Sequence, residues 1–450
     1  MKKKLYFLHI VFLLSWSHQV HAQIITTIAG DSTAGYNGDS IPAINAELNA
    51  PIFVALDGLG NFYISDWQNN RIRKVNTSGI ITTIAGTGTP GLSGDGGLAT
   101  NAKIWTPAGL KFDKYGNLYF ADESNCCIRR IDTAGIITTI AGTGAYGFSG
   151  DGGPATLAKL YAPHDVAIDD SCNVYITDDE NNCVRKVSSA GIISTIAGIG
   201  GVLGISGDGG PATAATLRAP YGIALDDSGN IYVADFDNNN IRKVNTSGII
   251  STIAGIGYAG YNGDSIAATT AKLNSPCGVY ADNNGNLYVA DGYNYRVRKI
   301  SPATSNGIIT TVAGNGSIAF SGDGGLASMA GIAATGITLD RAGNIYIADF
   351  SHSRVRFIRN TTGVNILNYT ANNISIKPNP ANGDFSINIT SGTDEKAQVL
   401  ITGINGEIIK EISTVTNYSL DIHLDVPTGV YFVTATTSTE RLSGRVVIIR

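Results

Sequence analysis

The sequence is poor in cysteine, in charge and in long hydrophobic runs. Its five cysteines are an odd number, too sparse for a disulfide scaffold, and they lack the CxxC spacing of metal sites. Lys and Arg total 31 against 36 Asp and Glu, a net charge of −5, which argues against a protein that binds nucleic-acid phosphates. No apolar run reaches the roughly 18 residues of a membrane span.

Glycine, in contrast, is abundant. The 55 glycines among 450 residues exceed the usual fraction of about 7%. This excess predicts many tight turns, and the charged fraction of 15% is low for a chain of this length.

The first 22 residues have the layout of a cleaved secretory signal. Lysines at positions 2–4 precede the apolar run Leu5–Leu14, and a polar stretch then ends at Ala22. Such a run is too short to span a bilayer. We expect residues 1–22 to be removed, which places the mature chain, beginning at Gln23, in an oxidising compartment.

Internal repetition is the strongest feature of the sequence. The tripeptide Ile-Ala-Gly or Val-Ala-Gly recurs every 56 to 59 residues, so the sequence contains six repeats. The six tripeptides end at Gly30, Gly86, Gly142, Gly198, Gly255 and Gly314.

Each repeat predicts four short strands joined by turns that carry glycine. Four-stranded units repeated radially are the blades of a β-propeller. The last repeat supplies only three strands, and the missing one matches Ile24–Gly30, so we expect the N-terminal strand to close the ring. In the first repeat the predicted strands are Pro51–Asp57, Phe62–Asp66, Arg71–Val75 and Ile80–Ala85.

Two motifs carry a resemblance to a known family. The pattern Gly-Asn-Leu-Tyr-Val-Ala-Asp with a following Arg-Val-Arg-Lys-Ile, at Gly285–Ile300, resembles the NHL-repeat propellers. The segment Gly147–Leu160 resembles the variant found in teneurins and bacterial exported proteins. The resemblance covers residues 23–360 and implies an all-β, six-bladed propeller. Because that family includes binding modules, sensors and a few lyases, it leaves the function open.

The pattern stops after Asn360. Residues 361–373 are expected to be a linker, and residues 374–450 predict a small β-sandwich with alternating strands. This segment resembles the C-terminal sorting domains of the type IX secretion system of Bacteroidetes, which implies export to the outer-membrane surface or beyond, after transit through the periplasm. The residues that carry this resemblance are Pro378, Asn379, Pro380, Gly429 and Tyr431, with the final segment 445–450.

Charged residues that recur in every repeat are interpreted as structural. An Asp at the end of the second strand and an Arg on the third are expected to form a charge-assisted pair. A further Asp in each Gly-Asp-Gly or Gly-Asp-Ser turn is interpreted as a turn residue, because one carboxylate per loop is too few for calcium. The pairs are Asp66 and Arg73, Asp122 and Arg129, Asp178 and Arg185, Asp235 and Arg242, Asp291 and Arg298, and Asp349 and Arg356.

A functional site is expected where the repeat is broken. The residues after the first-strand proline, and those after the second-strand Asp, vary between repeats and are predicted to surround one mouth of the central channel. These candidates mix exposed aromatic rings with acids and one histidine. They are Trp67, Glu123, His164, Asp165, Asp179, Tyr221, Phe236 and Phe350.

Two functions fit that rim, and a purely structural surface protein, in which the rings only cover the hydrophobic ends of their own blades, is a third possibility. In the favoured one the protein binds an extracellular glycan, peptide or protein, with the rings stacking on the partner. In the alternative, His164 with Asp165, Asp179 or Glu123 holds a metal in a propeller lyase or hydrolase. Because only His164 and His352 lie in the repeats, a metal site is poorly supplied with ligands. The sequence therefore predicts no metal, no cofactor and no catalytic residue, with the type IX machinery as an export partner.

Overall fold

The computed structural model describes residues 23–360, 374–379, 381–390, 394–403, 407–437 and 441–448. The expected signal, the expected linker and Pro380 of the sorting motif lie outside these residues. The chain divides into two compact units, Met1–Thr361 and Thr362–Arg450. The described residues contain strands and short 3-10 turns, so the chain is all-β.

Six antiparallel sheets, numbered in chain order, form the described part of the first unit. Strands are rich in β-branched and aromatic residues, and glycine-containing turns separate them. Sheet 1 contains β2 (Ile41–Pro42), β3 (Pro51–Leu56), β4 (Phe62–Asp66), β5 (Arg71–Val75) and β6 (Ile80–Ala85). Sheet 2 contains β7 (Pro107–Phe112), β8 (Leu118–Asp122), β9 (Cys127–Ile131) and β10 (Ile137–Ala141). Sheet 3 contains β11 (Pro163–Ile168), β12 (Val174–Asp178), β13 (Cys183–Val187) and β14 (Ile193–Ala197).

The other three sheets repeat this plan. Sheet 4 contains β15 (Pro220–Leu225), β16 (Ile231–Asp235), β17 (Asn240–Val244) and β18 (Ile250–Ala254). Sheet 5 contains β19 (Ile266–Ala267), β20 (Pro276–Ala281), β21 (Leu287–Asp291), β22 (Arg296–Ser301) and β23 (Ile308–Ala313). Sheet 6 contains β24 (Ala334–Leu339), β25 (Ile345–Asp349), β26 (Arg354–Ile358) and β1 (Ile25–Ala29).

Strand β1 is the outer strand of sheet 6. It pairs antiparallel with β26, and Ile25 lies opposite Ile358 while Thr27 lies opposite Arg356. The Ile25 side chain is fully buried, in one cluster with Ile345 and Ile347. The first and last strands of the repeat region are thus joined by backbone hydrogen bonds and by a shared core.

The first strands of successive sheets pack against one another. Strands β3, β7, β11, β15, β20 and β24 contact in that order, and β24 also contacts β3. The Thr335 hydroxyl of sheet 6 donates to the Ile52 carbonyl oxygen of sheet 1 at 2.9 Å. Hydrophobic clusters lie between neighbouring sheets, as where Tyr63 and Ile72 meet Phe120. These contacts give the unit a propeller-type architecture.

A fully buried arginine in each sheet bridges two carboxylates. Arg185 donates from Nη1 to Asp178 Oδ2 at 3.3 Å and from Nη2 to Asp151 Oδ1 at 2.7 Å. The same arrangement occurs in the other five sheets and contains every Asp–Arg pair predicted from the repeat. The turn aspartate, interpreted from sequence as a local turn residue, is the second partner of the arginine: Asp39, Asp95, Asp151, Asp208, Asp264 and Asp323.

The second unit has two sheets in its described residues, and their side chains form one hydrophobic cluster. Tyr431 is mostly buried in that cluster, and its hydroxyl donates to the Pro427 carbonyl oxygen at 2.8 Å. Of the sorting residues, Pro378 and Asn379 directly follow a strand and Gly429 begins one. One sheet contains β27 (Ile374–Lys377), β28 (Asp384–Ile389) and β31 (Ser419–His423), and the other contains β29 (Lys396–Thr402), β30 (Ile408–Val415), β32 (Gly429–Thr436) and β33 (Arg441–Ile448).

Candidate functional site

The candidate residues after each second strand begin a turn at one end of the sheets. The geometry that recurs in each sheet comes from the preceding Asp, whose Oδ1 accepts the backbone N–H of a residue 16 or 17 positions earlier, as Asp66 does from Asn49. In five sheets the turn is a single 3-10 turn, at Trp67–Asn69, Glu123–Asn125, Phe236–Asn238, Gly292–Asn294 and Phe350–His352. The buried Asp fixes the turn, which leaves the residue after it free to vary.

Ring contacts join most of the candidates. Trp67 lies 6.1 Å from Phe350, measured between ring centroids, and its Nε1 donates to Glu123 Oε2 at 2.8 Å. On the opposite side Tyr221 stacks on Phe236 at 4.5 Å, and His164 lies against Tyr221 at 3.5 Å. Burial raises the pKa of the Tyr221 hydroxyl, and the charges of the nearby Asp179 and Glu123 raise it further.

We call these seven residues the acid–aromatic cluster: Trp67, Glu123, His164, Asp179, Tyr221, Phe236 and Phe350. Six of them are half-buried, and His164 is buried with 1% of its surface exposed. The sequence left open whether the rings are exposed for a partner or cover the hydrophobic ends of their own blades. The rings pack partly on the cores between sheets, with Trp67 and Phe350 on one and Tyr221 and Phe236 on another.

The two acids of the cluster are held in an environment that opposes their charge. Burial raises the pKa of Asp179 to about 8, with further contributions from the charges of Glu180, Glu123 and others. Burial likewise raises the pKa of Glu123 to about 7, although the hydrogen bond from Trp67 lowers it. The Asp179 carboxyl makes no hydrogen bond or ion pair with the described residues. The cluster therefore disfavours the ionised form of both acids, and a neighbouring cationic group would favour it.

His164 does not sit in a metal-binding arrangement. Burial lowers its pKa to about 3, although a hydrogen bond with the Tyr221 backbone opposes this shift, so the ring is neutral at physiological pH. Phe53 and Tyr221 cover the ring. Across the described ranges, no three His, Cys, Asp or Glu side chains come together in a way that could hold a metal ion.

Asp165 is separate from this cluster although it follows His164 in sequence. Its Oδ2 accepts the Ile223 N–H of the next sheet at 2.9 Å, and its Oδ1 accepts the Val166 N–H at 2.8 Å. A cavity lies on this side, bounded by the inner residues of all six first strands. The structure thus divides the predicted site, with seven residues at one end of the first strands and Asp165 lining the cavity.

Sequence reasoning missed the residues that share this cavity with Asp165. Lys111, Tyr280 and Thr338 line it, each on a different first strand. A broken repeat marks them as it marks the others, because the corresponding positions of the remaining strands are all alanine: Ala55, Ala167 and Ala224.

Comparison with known protein families assigns both units. A model of the teneurin NHL domain matches residues 87–149, 145–203 and 203–262, and an NHL-repeat model matches residues 273–300. The first unit contains teneurin-type NHL repeats. A model of the secretion system C-terminal sorting domain matches residues 375–449. A chain with an NHL-type propeller unit and this sorting domain is an exported protein, secreted or displayed at the cell surface.

Individual relatives agree with the NHL assignment. Teneurin-4 of Mus musculus is 33% identical over 288 residues, which cover 55% of this chain and 10% of the teneurin. The Arabidopsis thaliana protein SUPPRESSOR OF QUENCHING 1, chloroplastic, is 30% identical over 327 residues, covering 69% of this chain and 30% of the relative. The NHL-repeat chain therefore corresponds to about a tenth of the length of the teneurins that it matches.

Solved structures share the fold. A Bacteroides thetaiotaomicron protein of unknown function has a TM-score of 0.54 at 19% identity, over 75% of this chain and 76% of the other. An auxiliary nutrient binding protein from Bacteroides ovatus has a TM-score of 0.53 at 16% identity, with the same coverage. The part of the chain that the structure describes contains no helix with the length and apolar character to cross a membrane.

Proposed function

We propose that residues 23–360 form a closed six-bladed propeller that binds an extracellular glycan, peptide or protein at the acid–aromatic cluster. Ring closure is supported by the pairing of β1 with β26 and by the contact between β24 and β3. In this proposal residues 1–22 are a signal peptide, residues 361–373 a linker and residues 374–450 the sorting domain.

Among these partners, the cluster favours one that presents a basic side chain. The observation that carries this choice is Asp179, a half-buried carboxyl whose pKa is raised to about 8 and which has no cation or donor beside it among the described residues. A lysine or arginine of a partner would pair with Asp179 and Glu123, and its charge would interact favourably with the faces of the surrounding rings.

Binding of a basic peptide is expected to strengthen as the pH rises from 6 to 9. Both acids have raised pKa values, about 7 and about 8, so the fraction ionised increases over this range. Fluorescence polarisation with labelled basic, neutral and acidic peptides measures the effect. We expect Asp179→Asn to weaken the binding of the basic peptide by about tenfold, because a charge-assisted contact is lost.

Glu411→Gln is the matched control, since it removes an exposed carboxylate in the second unit. It should leave peptide affinity unchanged. Two results would contradict the choice of a basic partner. One is equal affinity for basic and acidic peptides, and the other is a glycan whose affinity for the cluster changes neither with pH nor with Asp179→Asn.

Export through the type IX system is the second part of the proposal. Deleting residues 445–450 removes the end of β33, including Val446 and Ile448, which are fully buried in the core of the second unit. In a bacterium with a type IX system we expect this variant to accumulate in the periplasm. Antibody labelling of intact cells, with a blot of the periplasmic fraction, measures the distribution, and normal surface labelling would refute the assignment.

A further inference from the structure

The cavity on the Asp165 side is built by all six first strands. It has a volume of about 570 Å³, within the range of small-molecule sites. Its inner end lies at the level of Phe53 and Asp165. The other first strands carry glycine at this level, and a Cβ on Gly222 or Gly336 would overlap the backbone of the neighbouring first strand. Close backbone packing therefore narrows the channel here and forms the inner end of the cavity.

Lys111 places a positive charge inside this cavity. Its Nζ lies 5.6 Å from the centroid of the Tyr280 ring, which belongs to the first strand of sheet 5. The ammonium group makes no hydrogen bond or ion pair with the residues that the structure describes. Burial lowers the pKa of Lys111, although the nearby Asp165 opposes this shift. An enclosed ammonium group without a hydrogen-bond partner is available to a ligand.

The outer part of the cavity has the opposite charge. Asp169 and Asp226 directly follow β11 and β15. Burial opposes their ionisation, but hydrogen bonds from their own turns outweigh it and lower the pKa of both, so both are ionised at neutral pH. The exposed Asp170 and Asp227 lie beside them. Among the described residues that line the cavity, Lys111 is the one lysine or arginine.

This distribution selects the charge of a ligand. Four carboxylates at the opening repel a simple anion. Lys111 repels a simple cation that moves further in, where burial raises the pKa of the neighbouring Asp165 carboxyl to about 7 and so reduces its negative charge. A zwitterion fits both charges if its carboxylate reaches Lys111 and its ammonium group stays near the aspartates. The Thr338 hydroxyl and the Tyr280 ring complete a lining of polar and apolar groups around the middle of such a molecule.

We propose that the cavity between Lys111 and the aspartates of β11 and β15 binds an amino acid or a short peptide with free termini, carboxylate innermost. This site is independent of the acid–aromatic cluster, which lies at the other end of the first strands. Its residues on different sheets come together through the packing of the first strands.

Isothermal titration calorimetry of the intact chain with trialanine tests the proposal. We expect trialanine to bind, and trialanine amide, which lacks the carboxylate, to bind at least tenfold more weakly. Lys111→Met should weaken the binding of trialanine at least tenfold and abolish the difference in affinity between trialanine and its amide. N-acetyl-trialanine, which lacks the ammonium group, should also bind more weakly than trialanine. The double variant Asp170→Asn, Asp227→Asn should reduce this difference between trialanine and its acetylated form.

Lys74→Met is the matched control, because Lys74 also lies over a tyrosine ring, at 5.4 Å from the centroid of Tyr63, but does not line the cavity. It should bind trialanine like the parent chain. Asp179→Asn should do the same, which separates failure of this site from failure of the acid–aromatic cluster. No binding of trialanine at millimolar concentration, equal binding of the amide, or unchanged affinity in a folded Lys111→Met variant would overturn the proposal.

Discussion

Removing residues 23–30 is expected to lower the free energy of unfolding of the first unit by at least about 4 kcal/mol. The deletion takes away β1, exposes the hydrogen-bonding edge of β26 and removes the fully buried Ile25 from the core of sheet 6. It also breaks the hydrogen bond from the Thr27 hydroxyl to Asp323. An unpaired β26 edge should make the variant prone to aggregation.

Urea unfolding monitored by tryptophan fluorescence measures this loss. Beyond the expected signal the tryptophans are Trp67 and Trp105, both in the first unit, so the signal reports that unit in the intact chain. If the deletion variant does not fold, Ile25→Ala replaces it, with an expected loss of about 2–5 kcal/mol. The neighbouring Ile24 is 38% exposed, so Ile24→Ala should change stability by about 0.5 kcal/mol or less. Similar stability of all these variants would refute the role of β1.

The second large effect is expected at Asp178. Tyr161 N–H donates to its Oδ1 at 2.7 Å, while Asn181 Nδ2 and Arg185 Nη1 donate to its Oδ2 at 2.8 and 3.3 Å. Asn at this position must turn an NH₂ group towards one of these donors. It also leaves buried Arg185 with one of its two carboxylates. We expect Asp178→Asn to lower the free energy of unfolding by about 3 kcal/mol.

Sequence periodicity was sufficient to predict the four longer strands of each sheet. Three predicted strands of the first repeat, Phe62–Asp66, Arg71–Val75 and Ile80–Ala85, have the bounds that the structure gives. The short β2 and β19 were not predicted. Each has two residues and pairs with the outer strand of its sheet, so neither is long enough to show a period.

The candidate site was only partly predictable. The rule that a site breaks the repeat found Trp67, Glu123 and Asp179, since each position along a strand can be compared across six copies. It grouped His164 with Asp165, because they are adjacent in sequence. In a strand, however, successive side chains point to opposite faces. The pairing of Lys111 with Tyr280 depends on how the first strands of sheets 2 and 5 meet, which no local pattern records.

Asp178 and its neighbour Asp179 represent two classes of residue, those that recur in every repeat and those that differ between repeats. Asp178 is repeated in every sheet and its carboxyl accepts three hydrogen bonds, whereas Asp179 is unrepeated and its carboxyl accepts none from the described residues. Because the native pKa of Asp179 is about 8 and its ordinary value is 3.8, ionisation of Asp179 destabilises the fold as pH rises between these values. Asp179→Asn should therefore stabilise the first unit at pH 8, by about 0.5–2 kcal/mol.

The most direct test is urea unfolding of Asp178→Asn and Asp179→Asn, side by side, at pH 8 and pH 4. Burial raises the pKa of Asp178 to about 6 and that of Asp179 to about 8. At pH 8 the Asp178 carboxyl of the parent chain is therefore ionised, and the Asp179 carboxyl is ionised in about half of the molecules. We expect the free energy of unfolding to change with opposite sign at pH 8, falling for Asp178→Asn and rising for Asp179→Asn, with the rise vanishing by pH 4. A loss of stability for Asp179→Asn at pH 8 comparable to that for Asp178→Asn would make Asp179 a structural residue and contradict the central claim that unrepeated positions form the binding site.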